Sequence, residues 1–190
     1  MHRAATTEGS EPPRRVLVTG AESTGKSTLC QELARTYRTS WCPEYLREYF
    51  QQRQGKLTRD DQVTIARGQA RLEEEAVRRA SRVLFVDTDA LLTCVYFEHY
   101  FGYVDPVVSR MADEEHYDLI LLLHPDVPWV EDPQRDLPVG RVRIHDRLRE
   151  EMKRRGMRWT DVRGSWGARE QTAKDAVEKL LRNPAARDRR

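Results

Sequence analysis

At 190 residues the chain suits one domain with a sizeable core and is too short for two full-sized ones, so a multi-enzyme polypeptide is not expected. Its 33 basic and 31 acidic side chains nearly cancel to a formal +2, without the concentrated basic face of a nucleic-acid binder; clusters such as Lys153 to Arg155 read as solvated helix ends. Cys30, Cys42 and Cys94 suggest neither a disulfide framework nor a zinc site, and the longest aliphatic run, Leu119 to Leu123, is far below the roughly 20 residues that span a bilayer, so a cytoplasmic location without membrane contact is expected.

Residues 1–13 are polar and carry no apolar periodicity; they are expected to be a disordered leader, followed by one domain over 14–182 and a flexible tail over 183–190. Arg15 to Thr19 reads as a short β-branched strand that stops at Gly20. Leu29, Leu33 and Tyr37 then recur with helical spacing. Between them, Gly20-Ala-Glu-Ser-Thr-Gly-Lys-Ser27 fits G-x-x-x-x-G-K-[ST]. Gly20 and Gly25 let the backbone curl so that successive amides face a phosphate, Lys26 reaches the β and γ phosphates, and the Ser27 hydroxyl is offered to magnesium. The helix that follows adds its positive end.

A second strand is expected over Thr39 to Cys42 and a helix over Glu44 to Arg53. Glu44, Arg47 and Glu48 should therefore lie at the same sheet edge as the phosphate loop, near an acceptor, with Glu44 a candidate base; charges spaced along a surface helix would look similar. Tyr45 and Tyr49 face either the core or a flat substrate ring. Thr58 and Asp61 form a capping box opening a long polar helix to about Ala80.

Arg82 to Val86 is a buried-strand run ending in Asp87. An acidic residue at that tip can hold magnesium through water or accept a proton, and Asp89 either joins it or caps the next helix. Asp105-Pro106 reads as an N-cap with a first-turn proline, and Tyr117 to Leu123 as the most apolar strand. From Asp126 to Arg143 the chain is irregular and arginine-bearing, the pattern of either a lid or a solvated loop. Arg135 is the first candidate to reach the transferring phosphate, with Arg141 and Arg143 as alternates. A helix over Ile144 to Arg155, a strand over Met157 to Val162 and a helix over Ser165 to Leu181 complete the domain. Trp166, at the last turn, either stacks on adenine or anchors its helix. The five histidines read as surface or strand-end residues. Strands alternating with helices imply an α/β fold whose parallel sheet is covered by helices on both faces.

Taken together, Gly20 to Thr28, Cys42-Pro-Glu-Tyr-Leu-Arg-Glu-Tyr49, Leu84-Phe-Val-Asp-Thr-Asp89 and Pro125-Asp-Val-Pro-Trp-Val-Glu-Asp132 closely resemble the nicotinamide riboside kinase domain of NadR-type proteins, in the P-loop kinase superfamily. The resemblance runs from Arg14 to about Arg182. It implies a three-layer P-loop kinase fold and transfer of phosphate from ATP to the 5′-hydroxyl of nicotinamide riboside, with Mg2+, to give nicotinamide mononucleotide for NAD salvage. By that analogy Glu22, Ser23, Thr24, Gly25, Lys26, Ser27 and Thr28 hold ATP and Asp87 serves magnesium or proton transfer. The segments from Glu44 to Tyr49 and from Trp129 to Asp132 would approach the riboside. NadR proteins also carry an adenylyltransferase domain with an H-x-G-H element, and some a helix-turn-helix; neither is expected here, since no H-x-G-H occurs and residues 1–13 are too few for a helix-turn-helix. The expected partner is a small-molecule riboside, and a homo-oligomer stays open. Kinase activity on another nucleoside and a regulatory ATPase are the competing readings.

Overall fold

The computed structural model describes residues 11–127 and 140–183. Five parallel strands, β1 (Arg14–Gly20), β2 (Trp41–Cys42), β3 (Val83–Asp87), β4 (Leu119–Leu123) and β5 (Thr160–Val162), form one sheet in the order β2-β3-β1-β4-β5. The first strand therefore sits at the centre, with Val16 opposite Phe85 on one side and Leu119 on the other. Both neighbours and both faces are covered, which is why β1, β3 and β4 read as unbroken apolar runs rather than alternating ones.

Side-chain alternation along the strands divides the core in two. Val16, Val18, Phe85, Leu121 and Leu123 face α1 (Lys26–Tyr37) and α7 (Trp166–Arg182), meeting Leu29, Leu33, Ala173 and Val177. Leu17, Leu84, Val86, Ile120 and Leu122 face the opposite layer. There α3 (Gln62–Val77), α4 (Ala90–Phe101), α5 (Pro106–Glu114) and α6 (Gly140–Arg154) pack, and the short α2 (Tyr45–Gln52) follows β2. Residues Ala90 to Phe97 of α4 are all buried, so that helix is apolar around its circumference.

The caps follow local chemistry. The Asp105 carboxylate accepts the Val107 amide at 2.8 Å with Pro106 in the first turn, and Ser165 caps α7. The capping box of Thr58 and Asp61 is present, but it opens a short 3₁₀ turn, Arg59–Asp61, before α3, which ends at Val77 rather than Ala80.

Several boundaries differ from expectation. β2 has only two residues because Thr39 is used otherwise: its hydroxyl donates to the Val83 carbonyl at 2.6 Å and its amide closes the end of α1 on Ala34. The last strand starts at Thr160, since Met157 and Trp159 pack into the core from the preceding loop. Gly140 to Arg143, read as irregular, belong to α6, since a glycine followed by arginines carries no helix signal. Arg155 is no solvated end: it pairs with Glu151 and with Asp113.

Candidate active site

β1 delivers the chain to the carboxyl edge of the sheet, and Gly20 is where it must leave. Its φ is +141°, and a β-carbon there would lie 2.5 Å from the Leu123 carbonyl oxygen of the neighbouring strand. The loop then curls through Ser23, at φ +53°, to Gly25 at φ +88°, which caps α1. The Thr24 hydroxyl and the Lys26 ammonium both donate to the Ala21 carbonyl, at 2.8 and 3.1 Å, so the loop is closed on itself with Lys26 tucked inside. The Ser27 hydroxyl donates to the Asp87 carboxylate at 2.5 Å. The phosphate loop and the tip of β3, 60 residues apart, thus meet as their chemistry requires.

Asp87 is fully buried, and burial is the main reason its carboxyl is pushed up to about 6; the nearby Glu44 carboxylate adds to this, while Lys26, Ser27 and Arg47 pull the other way. Glu44 holds the N-cap position of α2 yet makes no capping bond: its carboxylate instead pairs with Arg47 at 3.1 Å.

The clamp that brings Glu44 to Asp87 had no sequence signature. Gln69, on α3, accepts the Tyr45 amide at 2.8 Å and donates to the Pro43 and Asp87 carbonyls at 3.4 and 3.3 Å, so it grips the chain on both sides of Glu44. One residue earlier, Gly68 leaves the space that the Tyr45 ring fills.

Other candidates are engaged elsewhere. The Tyr49 hydroxyl donates to Asp61 at 2.6 Å, and Tyr45 packs on α3, so both are tied to scaffold. Asp89 caps α4 by accepting the Leu92 amide at 3.0 Å. Burial pushes it up to about 6, with Glu73 rather than Glu44 as its acidic neighbour. The two aspartates part company at Thr88, a β-branched residue at φ +80° whose amide donates to the Val18 carbonyl. Trp166 is 38% exposed and rests its ring edge against Gly25, where a β-carbon would be 3.0 Å from it. Arg141 donates to the Val127 carbonyl at 2.8 Å and Arg143 is exposed on α6. Trp129, Asp132 and Arg135 lie outside the described residues.

Two histidines are less ordinary than expected. His124 directly follows β4 with its Nε2 2.6 Å from Asp161, and its ring centroid is 4.4 Å from that of His145. His145 is buried on α6 with neither ring nitrogen hydrogen-bonded, and burial together with His124 holds it down to about 4, hence neutral.

Oxygen donors of this kind fit magnesium, which binds through one or two protein ligands and completes its shell with water and substrate phosphate. The Ser27 hydroxyl and the Asp87 carboxylate supply such a pair. Among the described residues no group of three His, Cys, Asp or Glu side chains makes a closed metal cage.

Residues 15–169 match the AAA domain, from the start of β1 to the first turn of α7. The chain belongs to this AAA-domain family. It is similar to the trifunctional NAD biosynthesis/regulator protein NadR of Salmonella typhimurium, 35% identical over an alignment of 156 residues that covers 79% of this chain and 38% of that protein. Among solved structures, a NadR protein in complex with NR superposes with a TM-score of 0.79 at 27% identity, covering 89% of this chain and 52% of that one. A NadR protein in complex with NAD and AMP-PNP gives 0.76 at 27% identity, over 89% and 49%. This AAA-domain chain thus spans about half or less of the relatives it resembles.

Proposed function

We propose that the protein is an ATP-dependent kinase that phosphorylates nicotinamide riboside on its 5′-hydroxyl, giving nicotinamide mononucleotide and ADP in a salvage route to NAD. The observation that carries this is the closure of the phosphate loop on Asp87 with Glu44 held beside it, in a chain similar to a NadR protein in complex with NR. The loop amides and Lys26 bind the polyphosphate, and the buried setting strengthens their effect on charge developing during transfer. Ser27 and Asp87 would hold magnesium, which when bound neutralises phosphate charge. Because the Ser27 hydroxyl already engages Asp87, we assign the base to Glu44. Glu44 takes the proton of the attacking hydroxyl as the new O–P bond forms and the bond to the ADP oxygen breaks; Arg47 steadies that carboxylate. Trp129 and Asp132 are assigned to riboside binding and Arg135 to the transferring phosphate, on the resemblance and the sequence pattern alone.

The decisive experiment incubates the purified chain with ATP, magnesium and a panel of nucleosides. Formation of nicotinamide mononucleotide in preference to other monophosphates is expected. Turnover of deoxynucleosides with none of nicotinamide riboside would overturn the substrate assignment. Comparing single-turnover rates of Glu44→Gln and Asp87→Asn tests the base: the proton-transfer role requires that Glu44→Gln stay slow at saturating magnesium.

A further inference from the structure

The first turn of α7 meets the phosphate loop from behind. Trp166 lies against Gly25, and one turn later comes Arg169, whose side chain has no exposed surface. Its Nε donates to the Gly164 carbonyl at 2.9 Å, Nη1 to the Thr24 carbonyl at 3.0 Å and Nη2 to the His124 carbonyl at 2.7 Å, and it pairs with the Asp126 carboxylate. The other Asp126 oxygen accepts the Gly164 amide at 2.8 Å. One guanidinium thus joins the phosphate loop, the exit of β4 and the loop before α7.

As a brace alone this arrangement is poorly justified, because taking a guanidinium out of water carries a desolvation penalty that an apolar side chain of similar size avoids. An arginine is called for if donors are needed at those points. The bond to Thr24 shows why. The peptide between Thr24 and Gly25 is planar and trans, so its carbonyl and its N–H point in opposite directions. Fixing the Thr24 oxygen toward Arg169, on the outside of the loop, fixes the Gly25 N–H toward the inside, where successive amides face a phosphate. A cationic donor on the carbonyl also polarises that peptide and strengthens its N–H as a donor. The Trp166 ring packs against Gly25 beside the same peptide.

We infer that Arg169 is a positioning residue for the nucleotide's polyphosphate: it presets the amide cradle before ligand arrives. This rests on reading the loop as a nucleotide-phosphate site. Its consequence is specific, since Arg169 supports affinity for the phosphate chain and not for the base.

The test titrates the full chain with inorganic tripolyphosphate, ADP and adenosine, in the wild type, Arg169→Lys and Arg169→Gln, alongside melting without ligand. Lysine keeps a charge but loses the fork that reaches several carbonyls at once. Tripolyphosphate and ADP should bind each folded variant about tenfold more weakly or worse, the loss expected when a charge-assisted bond is removed, while adenosine binding is unchanged. In turnover, the KM for ATP should rise without a rise in that for the acceptor. A merely bracing arginine would lower the melting midpoint and leave tripolyphosphate affinity intact, and that result overturns the inference. Should Arg169→Gln fail to fold, Arg169→Lys carries the result alone, at a temperature where its circular dichroism equals that of the wild type. A wild type that binds neither tripolyphosphate nor ADP sinks the nucleotide reading itself; variants that bind both as well as the wild type sink only the role of Arg169.

Discussion

Lys26 is a charged side chain with 4% of its surface exposed, held by a single carbonyl inside a loop whose amides also attract anions. That placement is wasteful for stability and useful for binding a polyphosphate. Lys26→Ala should therefore lower the transfer rate by about a hundred- to thousandfold, as loss of a preorganised cation does, while circular dichroism and cooperative melting stay those of the wild type. Full turnover by the variant would remove Lys26 from the site. Thr88 works differently: its positive φ is what separates Asp87, aimed at Ser27, from Asp89, turned into the start of α4. Strain of this kind cannot be seen in a one-dimensional string, so the sequence left open whether Asp89 joins Asp87 or caps the next helix.

Between elements, α3 sets the site through Gly68 and Gln69. In an exposed helix Gly→Ala stabilises by about 1 kcal/mol, but the Tyr45 ring occupies the space a β-carbon would need. Gly68→Ala should instead destabilise by about 1–3 kcal/mol, as overpacking does, and should lower turnover because α2 and Glu44 shift with Tyr45. Denaturant unfolding paired with rate measurement checks both signs. At the start of α4 the Ala90 amide donates to the half-buried Glu115 at 3.0 Å. Burial foremost, then the nearby Asp89 carboxylate, pushes Glu115 up to about 8 from an ordinary 4.5. The folded protein therefore binds more protons at this site than the unfolded chain does between those values, so its contribution to stability is fully present below 4.5 and lost as pH rises through about 8. Glu115→Gln keeps the acceptor for Ala90 without the charge. It should raise the melting midpoint at pH 8 by about 2–4 °C, the shift that 1 kcal/mol produces in a chain of this size, and by less at pH 5. A midpoint that falls equally at both pH values would show that the carboxylate is not penalised by burial.

Across the whole molecule, one central sheet separates two apolar layers, with Leu17 buried in one and Leu121 in the other. Leu17→Ala and Leu121→Ala should each cost about 2–5 kcal/mol. If the layers are one cooperative unit, each variant should still unfold in a single transition seen alike by fluorescence and circular dichroism; two separated transitions would mean that the layers melt independently. The parallel sheet, the phosphate loop, the Asp105 and Thr58 caps and the tip position of Asp87 were all legible in the sequence. Each depends on interactions within a few residues, or on an apolar period that the chain itself displays. Tertiary structure alone decided that Gln69 grips the chain on both sides of Glu44 and holds the Asp87 carbonyl, that Tyr49 answers to Asp61 and that His145 is buried beside His124. Arg169 is the extreme case: it lies 145 residues from the carbonyl it orients, in a helix where one more arginine looks like surface charge. Local spacing encodes which groups can bind a phosphate, but only packing across the sheet fixes which of them point the same way.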